Sequence, residues 1–130
     1  MIRSNWTQNE ILKNLNLSLL DLLFKAQKVH KKYFPKKDVQ LASLLSIKTG
    51  ACPENCKYCP QSAHYKTGLK NEPLLSVNKV LKKAKKAKKS GASRFCMGAA
   101  WREVKDGPEF DKVIKMVKGI KKIGMESCVT

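Results

Sequence analysis

The sequence predicts an α/β fold in which the strands of a parallel sheet alternate with helices. Apolar residues recur at helical spacing in several segments, and short apolar stretches of strand length separate those segments. Glycine, proline or a capping residue marks most of the boundaries. From residue 39 onward the predicted order is β-α-β-α-β, and right-handed crossovers of this kind build parallel sheets with the helices outside.

Two helices are predicted ahead of the first strand. Thr7 and Glu10 have the spacing of a capping box, and Ile11, Leu12 and Leu15 follow them. Ser18 begins a second helix, which Pro35 ends. We therefore expect a helical extension over residues 1–38, with a polar connector at 36–38, and a separate α/β region over residues 39–130.

The α/β region begins with a predicted strand from Val39 to Ile47, followed by a long loop over residues 48–75. A loop of this length either has a function or indicates that the predicted elements are wrong, and the three cysteines within it favour a function. The later elements follow in order: a helix from Ser76 to Gly91, a strand at residues 93–97, a helix from Pro108 to Gly124 and a strand at residues 125–129.

The charge of the chain is strongly positive, with 27 basic and 10 acidic residues and a net charge of +17. Only three of the basic residues are arginines, the lysines concentrate on predicted outer helix faces, and aromatic residues do not alternate with them. This pattern favours a solvated lysine surface over a specific nucleic-acid site. No apolar run approaches a membrane span, and residues 1–5 lack a secretion signal, so we expect a cytoplasmic chain away from membranes.

The five cysteines carry the clearest functional signal. Cys52, Cys56 and Cys59 form a C-x3-C-x2-C motif in the long loop, directly after a predicted strand. Three clustered thiolates can bind three irons of a 4Fe–4S cluster and leave the fourth open to a small chelating molecule. Zinc is an alternative, since the same cysteines with His64 would make a Cys3His set.

The motif, with Tyr58 before its last cysteine, resembles the radical S-adenosylmethionine (SAM) superfamily. The wider sequence resembles the biotin synthase family within it, from residue 20 to Cys128. The matching segments are LLSIKTGACPE at 44–54, CKYCPQS at 56–62, YKTG at 65–68 and RFCMGAAW at 94–101. The resemblance implies a TIM-type (β/α)8 barrel, of which this chain has about three strands after two helices.

The resemblance also implies roles for individual residues. Cys52, Cys56 and Cys59 match the ligands of the 4Fe–4S cluster, whose open iron binds SAM, and Tyr58 matches the aromatic residue along the adenine. Further SAM contacts are implied for Gly98, Ala99, Ala100 and Trp101. Cys96 and Cys128 match two of the four ligands of a 2Fe–2S cluster that donates sulfur to dethiobiotin. No catalytic residue beyond the cluster ligands is implied.

Predicted strand positions place Cys96 and Cys128 near each other without reference to any family. Each lies near the carboxyl end of a strand, and neighbouring parallel strands run about 4.8 Å apart. Buried packing residues and a disulfide are the alternatives for this pair. Trp101 has a packing role as its alternative, and we interpret Glu54 and Lys57 as solvated loop charges.

The chain ends at Thr130 without a helix to cover the last predicted strand, so we expect an incomplete barrel. By resemblance the enzyme acts on dethiobiotin and SAM, is homodimeric, and depends on a flavodoxin-type reductant and iron–sulfur assembly proteins. The other two ligands of the 2Fe–2S cluster would lie beyond Thr130. A non-catalytic, truncated remnant of such an enzyme is therefore the second hypothesis.

Overall fold

The computed structural model describes residues 3–34 and 39–130, which form four helices and three strands. The chain divides into two compact units, Met1–Val39 and Gln40–Thr130. The first unit contains two helices, and the second contains the sheet with the other two. The predicted helix end at Pro35 and the connector at 36–38 lie outside the described residues.

The first unit consists of α1 (Gln8–Leu15) and α2 (Leu19–Tyr33). The predicted capping box of α1 is confirmed: Glu10 N–H donates to Thr7 Oγ1 at 3.3 Å, and Thr7 N–H donates to the Glu10 carboxylate at 2.9 Å. Arg3 binds the same carboxylate at 2.8 Å. Hydrogen bonds from Arg3 and then Thr7 lower the pKa of Glu10 to about 2. Ser18 caps α2 as predicted.

The second unit is a three-stranded parallel sheet in the order β1-β2-β3, which confirms the α/β prediction. Its elements in chain order are β1 (Ala42–Lys48), α3 (Val77–Lys89), β2 (Arg94–Ala99), α4 (Pro108–Lys122) and β3 (Glu126–Val129). β1 starts three residues later than predicted. β2 ends two residues later than predicted, because pairing continues past an irregularity in β1 to Lys48 and Ala99.

The ends of α3 and α4 follow the sequence signals. Ser76 accepts a hydrogen bond from Lys79 N–H at 3.4 Å at the start of α3, and Pro108 occupies the first turn of α4. Gly91 and Gly124 follow the two helices with φ of +93° and +76°. Glycine has no Cβ, so it adopts this left-handed conformation without the steric clash that other residues would have, and it is therefore common just after a helix end.

The core lies between one face of the sheet and the two helices. Side chains alternate along a strand, so Ile47, Phe95 and Met97 face α3 and α4. The buried cluster comprises Ile47, Val80, Ala84, Phe95, Met97, Val113, Met116, Ile120 and Met125. On the other face Leu44, Cys96 and Cys128 form one row across the three strands, and Leu44 is 73% exposed.

The outer surface of the helices is rich in lysine. α3 has seven lysines in its 13 residues, and all seven are exposed, as are the lysines of α4. The predicted lysine-rich outer face is thus confirmed. Among the described residues, no helix is both long enough and apolar enough to cross a membrane.

Replacing Ile120 by alanine should lower the free energy of unfolding by about 2–5 kcal/mol, because the side chain is fully buried against the sheet and leaves a cavity. Chemical denaturation followed by circular dichroism measures the loss. Lys118→Ala in the same helix is the matched control, since Lys118 is exposed, and it should change stability by less than about 0.5 kcal/mol. Equal effects of the two substitutions would contradict this core.

Candidate metal centre

The three clustered cysteines lie in the loop between β1 and α3, directly after the carboxyl end of β1. Gly50 and Ala51 turn the chain into this loop with φ of +74° and +54°. The left-handed backbone of Ala51 is sterically unfavourable, because its Cβ comes close to the following carbonyl oxygen. Gly50 N–H donates to Gln61 Oε1 at 2.6 Å, which fixes the turn.

A second part of the same loop, residues 61–65, holds the start of the motif through its backbone. Cys52 N–H donates to Gln61 O at 2.9 Å, and Ala63 N–H donates to Cys52 O at 2.8 Å. These two bonds form a short parallel bridge between Cys52 and Ser62. The first cysteine is therefore positioned by main-chain pairing.

The three residues between Cys52 and Cys56 are each bound by a side chain of the same 61–65 segment. The buried Ser62 hydroxyl donates to Glu54 O at 2.6 Å, and the Tyr65 hydroxyl donates to Asn55 Oδ1 at 2.5 Å. His64 Nε2 lies 3.0 Å from Pro53 O. Every residue of this part of the motif thus has an anchor within the loop.

Cys52, Cys56 and Cys59 are half-buried free thiols, and Cys59 N–H donates to Cys56 O at 3.0 Å. In residues 3–34 and 39–130, no three His, Cys, Asp or Glu side chains converge closely enough to hold a metal ion. The structure therefore gathers the three cysteines on one anchored loop without gathering their sulfur atoms. Three free thiols on one loop are the donor set that an iron–sulfur cluster uses, so the residues fit that group.

His64, the candidate fourth zinc ligand, contacts a backbone carbonyl through Nε2. This contact gives His64 a structural role within the loop. A Cys3His arrangement is not assembled in the described part of the chain.

Cys96 and Cys128 are direct neighbours in the register of β2 and β3. Both are free cysteines with half-buried side chains. Burial, and then the contact with Cys128, raises the pKa of the Cys96 thiol. Arg94 and Glu126 occupy the equivalent positions two residues earlier and form an ion pair at 2.7 Å. The structure brings these two cysteines together as the sequence predicts.

The stretch at residues 98–101 consists of the last two residues of β2 and the two residues after it, and it lies beside the end of β1. Ala100 N–H donates to Lys48 O at 3.0 Å, and Ala99 N–H donates to Thr130 O at 3.0 Å. Trp101 packs against the core, with Lys48 Nζ 5.8 Å from its ring centroid. Trp101 therefore has the packing contacts that its alternative role predicts. Tyr58, on the cysteine loop, is 91% exposed.

Glu54, interpreted from the sequence as a solvated loop charge, remains 36% accessible and forms an ion pair with Arg102 that the sequence did not predict. The hydrogen bond from Arg102 holds the pKa of Glu54 below its usual value. The two residues are 48 positions apart in the sequence, so no local signal could have paired them. The pair joins the loop after β1 to the segment after β2.

Comparison with known proteins matches residues 46–130 to the radical SAM superfamily. This chain belongs to that superfamily. Among curated proteins, it is 58% identical to the biotin synthase of Myxococcus xanthus, 57% to that of Idiomarina loihiensis and 54% to that of Synechococcus elongatus. Each alignment covers 99% of this chain and 37–40% of the relative.

The radical SAM match begins at Ser46, so it includes the end of β1, the cysteine loop and everything that follows. The three parallel strands with outer helices are consistent with the first part of a radical SAM barrel, as expected from the resemblance. The chain spans less than half the length of the biotin synthases that it matches.

Gly50→Ala should destabilise the second unit more than Gly68→Ala does. Both glycines have left-handed φ, +74° and +73°, so both substitutions carry the same backbone cost. A Cβ at Gly50 would also overlap the Asn71 side chain and lie 3.2 Å from Asn71 Cα, whereas nothing lies within 4 Å at Gly68.

We expect Gly50→Ala to cost about 1–3 kcal/mol more than Gly68→Ala, since overpacking adds to the backbone cost. The difference is measured by urea denaturation of the two variants. Equal losses would show that Asn71 does not restrict the turn before Cys52.

Proposed function

We propose that this radical SAM chain provides the part of a biotin synthase that binds the 4Fe–4S cluster and SAM, for an enzyme that inserts sulfur into dethiobiotin to form biotin. The anchored C-x3-C-x2-C loop at the end of β1 is the observation that carries this proposal. The names of the relatives at 54–58% identity support the choice of reaction.

In this proposal Cys52, Cys56 and Cys59 bind three irons of the cluster. When bound, the cluster supplies an electron to the sulfonium group of SAM. The chain's own contribution is to hold the three cysteines on a loop whose backbone is already paired through Gln61, Ser62 and Ala63.

The stretch at 98–101 contributes to binding SAM in this proposal, and Tyr58 lies along its adenine. Ala99 and Ala100 already use their N–H groups in bonds to Thr130 O and Lys48 O. Their role is therefore to shape the site beside the cysteine loop by backbone packing. The exposure of Tyr58 leaves its ring free to cover a ligand.

Cys96 and Cys128 provide two ligands of a 2Fe–2S cluster in the proposed enzyme. Their direct register and their position on the sheet face opposite α3 and α4 support a shared ligand at that face. We also propose a cytoplasmic enzyme that is homodimeric and takes electrons from a flavodoxin-type reductant, with clusters supplied by iron–sulfur assembly proteins.

Anaerobic reconstitution of the full chain with iron and sulfide should load about four iron atoms at the cysteine loop. The protein should turn brown, and dithionite should bleach its broad visible absorption. Cys56→Ala should remove most of this absorption, because Cys56 is one of the three thiols of the loop. Iron and acid-labile sulfide are measured together with the spectrum.

Cys96→Ala is the matched control for Cys56→Ala, since it removes a half-buried free thiol from the same unit outside the loop. It should leave the loop cluster in place. Colourless protein with one zinc per chain would contradict the proposal and favour the Cys3His alternative.

The substrate assignment is tested in the organism that carries the gene. Replacing the Cys128 codon by one for alanine should make growth depend on added biotin. Added dethiobiotin should not restore growth, because the block follows dethiobiotin in the proposed reaction. Growth on dethiobiotin would place the block earlier and contradict the assignment.

A further inference from the structure

The residue midway between Cys52 and Cys56 is fixed from two directions. The Glu54 carbonyl accepts a hydrogen bond from the buried Ser62 hydroxyl at 2.6 Å, within the loop. The Glu54 carboxylate binds Arg102, which follows β2 and the 98–101 stretch. The first bond shapes the loop, and the second attaches the loop to a neighbouring strand's end.

Arg102 differs from the lysines in the described part of this chain in that it forms an ion pair. The chain has 27 basic residues, of which only Arg3, Arg94 and Arg102 are arginines. Each of these arginines forms an ion pair with a glutamate, whereas the ion pairs found among the described residues include no lysine. The planar guanidinium holds a carboxylate in a defined geometry, which a lysine ammonium does not.

We propose that Glu54 and Arg102 are positioning residues for the iron centre, and that their ion pair slows the loss of iron from the three-cysteine loop. This inference rests on the proposed function. The pair acts by keeping residues 53–55 against the segment after β2, so that Cys52 and Cys56 stay in one orientation. Neither residue binds the metal.

The pair is partly exposed, with 36% of the Glu54 side chain and 73% of the Arg102 side chain accessible. Exposed ion pairs are weak and are screened by salt. The effect on iron loss should therefore be modest at low salt and should vanish at high salt. A role in packing alone would not depend on salt in this way.

The test measures the rate at which a ferrous chelator removes iron from the anaerobically reconstituted full chain. At about 20 mM salt, Glu54→Gln and Arg102→Gln should each lose iron roughly two to five times faster than the unsubstituted chain. The double variant should lose iron no faster than either single variant, because both remove the same contact. At about 1 M salt all four rates should agree.

The charge-reversed double variant, Glu54→Arg with Arg102→Glu, should recover a slow rate, whereas each reversed single variant should be fast. Arg3→Gln is the matched control, because it breaks an exposed arginine–glutamate pair in the first unit. It should leave iron loss unchanged.

Three outcomes would each overturn the inference: equal rates for Glu54→Gln and the unsubstituted chain, additive effects in the double variant, or a rate difference that persists at high salt. In each of these cases, cluster loading by the unsubstituted chain would still support the proposed function. Failure of the unsubstituted chain to bind iron and sulfide would overturn both.

Discussion

The alternation of side chains along three parallel strands is the constraint on which the second unit depends. Ile47, Phe95 and Met97 must face α3 and α4 to be buried, so the residues between them face the opposite way. Cys96 and Cys128 fall on that opposite face. A slip of one residue in β2 would place Cys96 in the core and Met97 on the open face, and burial of the apolar residues prevents it.

The same parallel register determines where the cysteine loop lies. Strands that run in one direction end at one edge of the sheet, so the loop after β1 and the segment after β2 begin side by side. The bond from Ala100 N–H to Lys48 O and the Glu54–Arg102 pair then join them. The candidate metal centre is therefore a consequence of topology, and the hydrogen bonds within the loop refine it.

Local signals in the sequence predicted the elements of the fold well. Thr7, Ser18 and Ser76 cap helices because each satisfies a free N–H in the first turn, and this depends on a few adjacent residues. The strand limits were predicted less well, since pairing with a neighbouring strand sets them. β2 continues to Ala99 because β1 supplies a partner for it past Ser46, at Lys48.

The candidate site divides in the same way between local and distant signals. The C-x3-C-x2-C spacing is local and was visible in the sequence, and the strand positions of Cys96 and Cys128 predicted their proximity. The anchors of the loop were not predicted. The fold brings Glu54 to Arg102. His64 contacts the Pro53 carbonyl, which comes within its reach only when residues 61–65 pair with the motif.

The two groups of cysteines are held by different physical means, and this bears on how each would retain a metal. Cys96 and Cys128 inherit their spacing from the sheet, so their separation changes only if strand pairing breaks. The loop cysteines depend on individual hydrogen bonds, each with a net value of about 1 kcal/mol. The loop can therefore open locally, and change the geometry of its cysteines, while the core stays folded. A contact that ties the loop to a strand end, as the Glu54–Arg102 pair does, acts on the part of the site that the sheet does not hold.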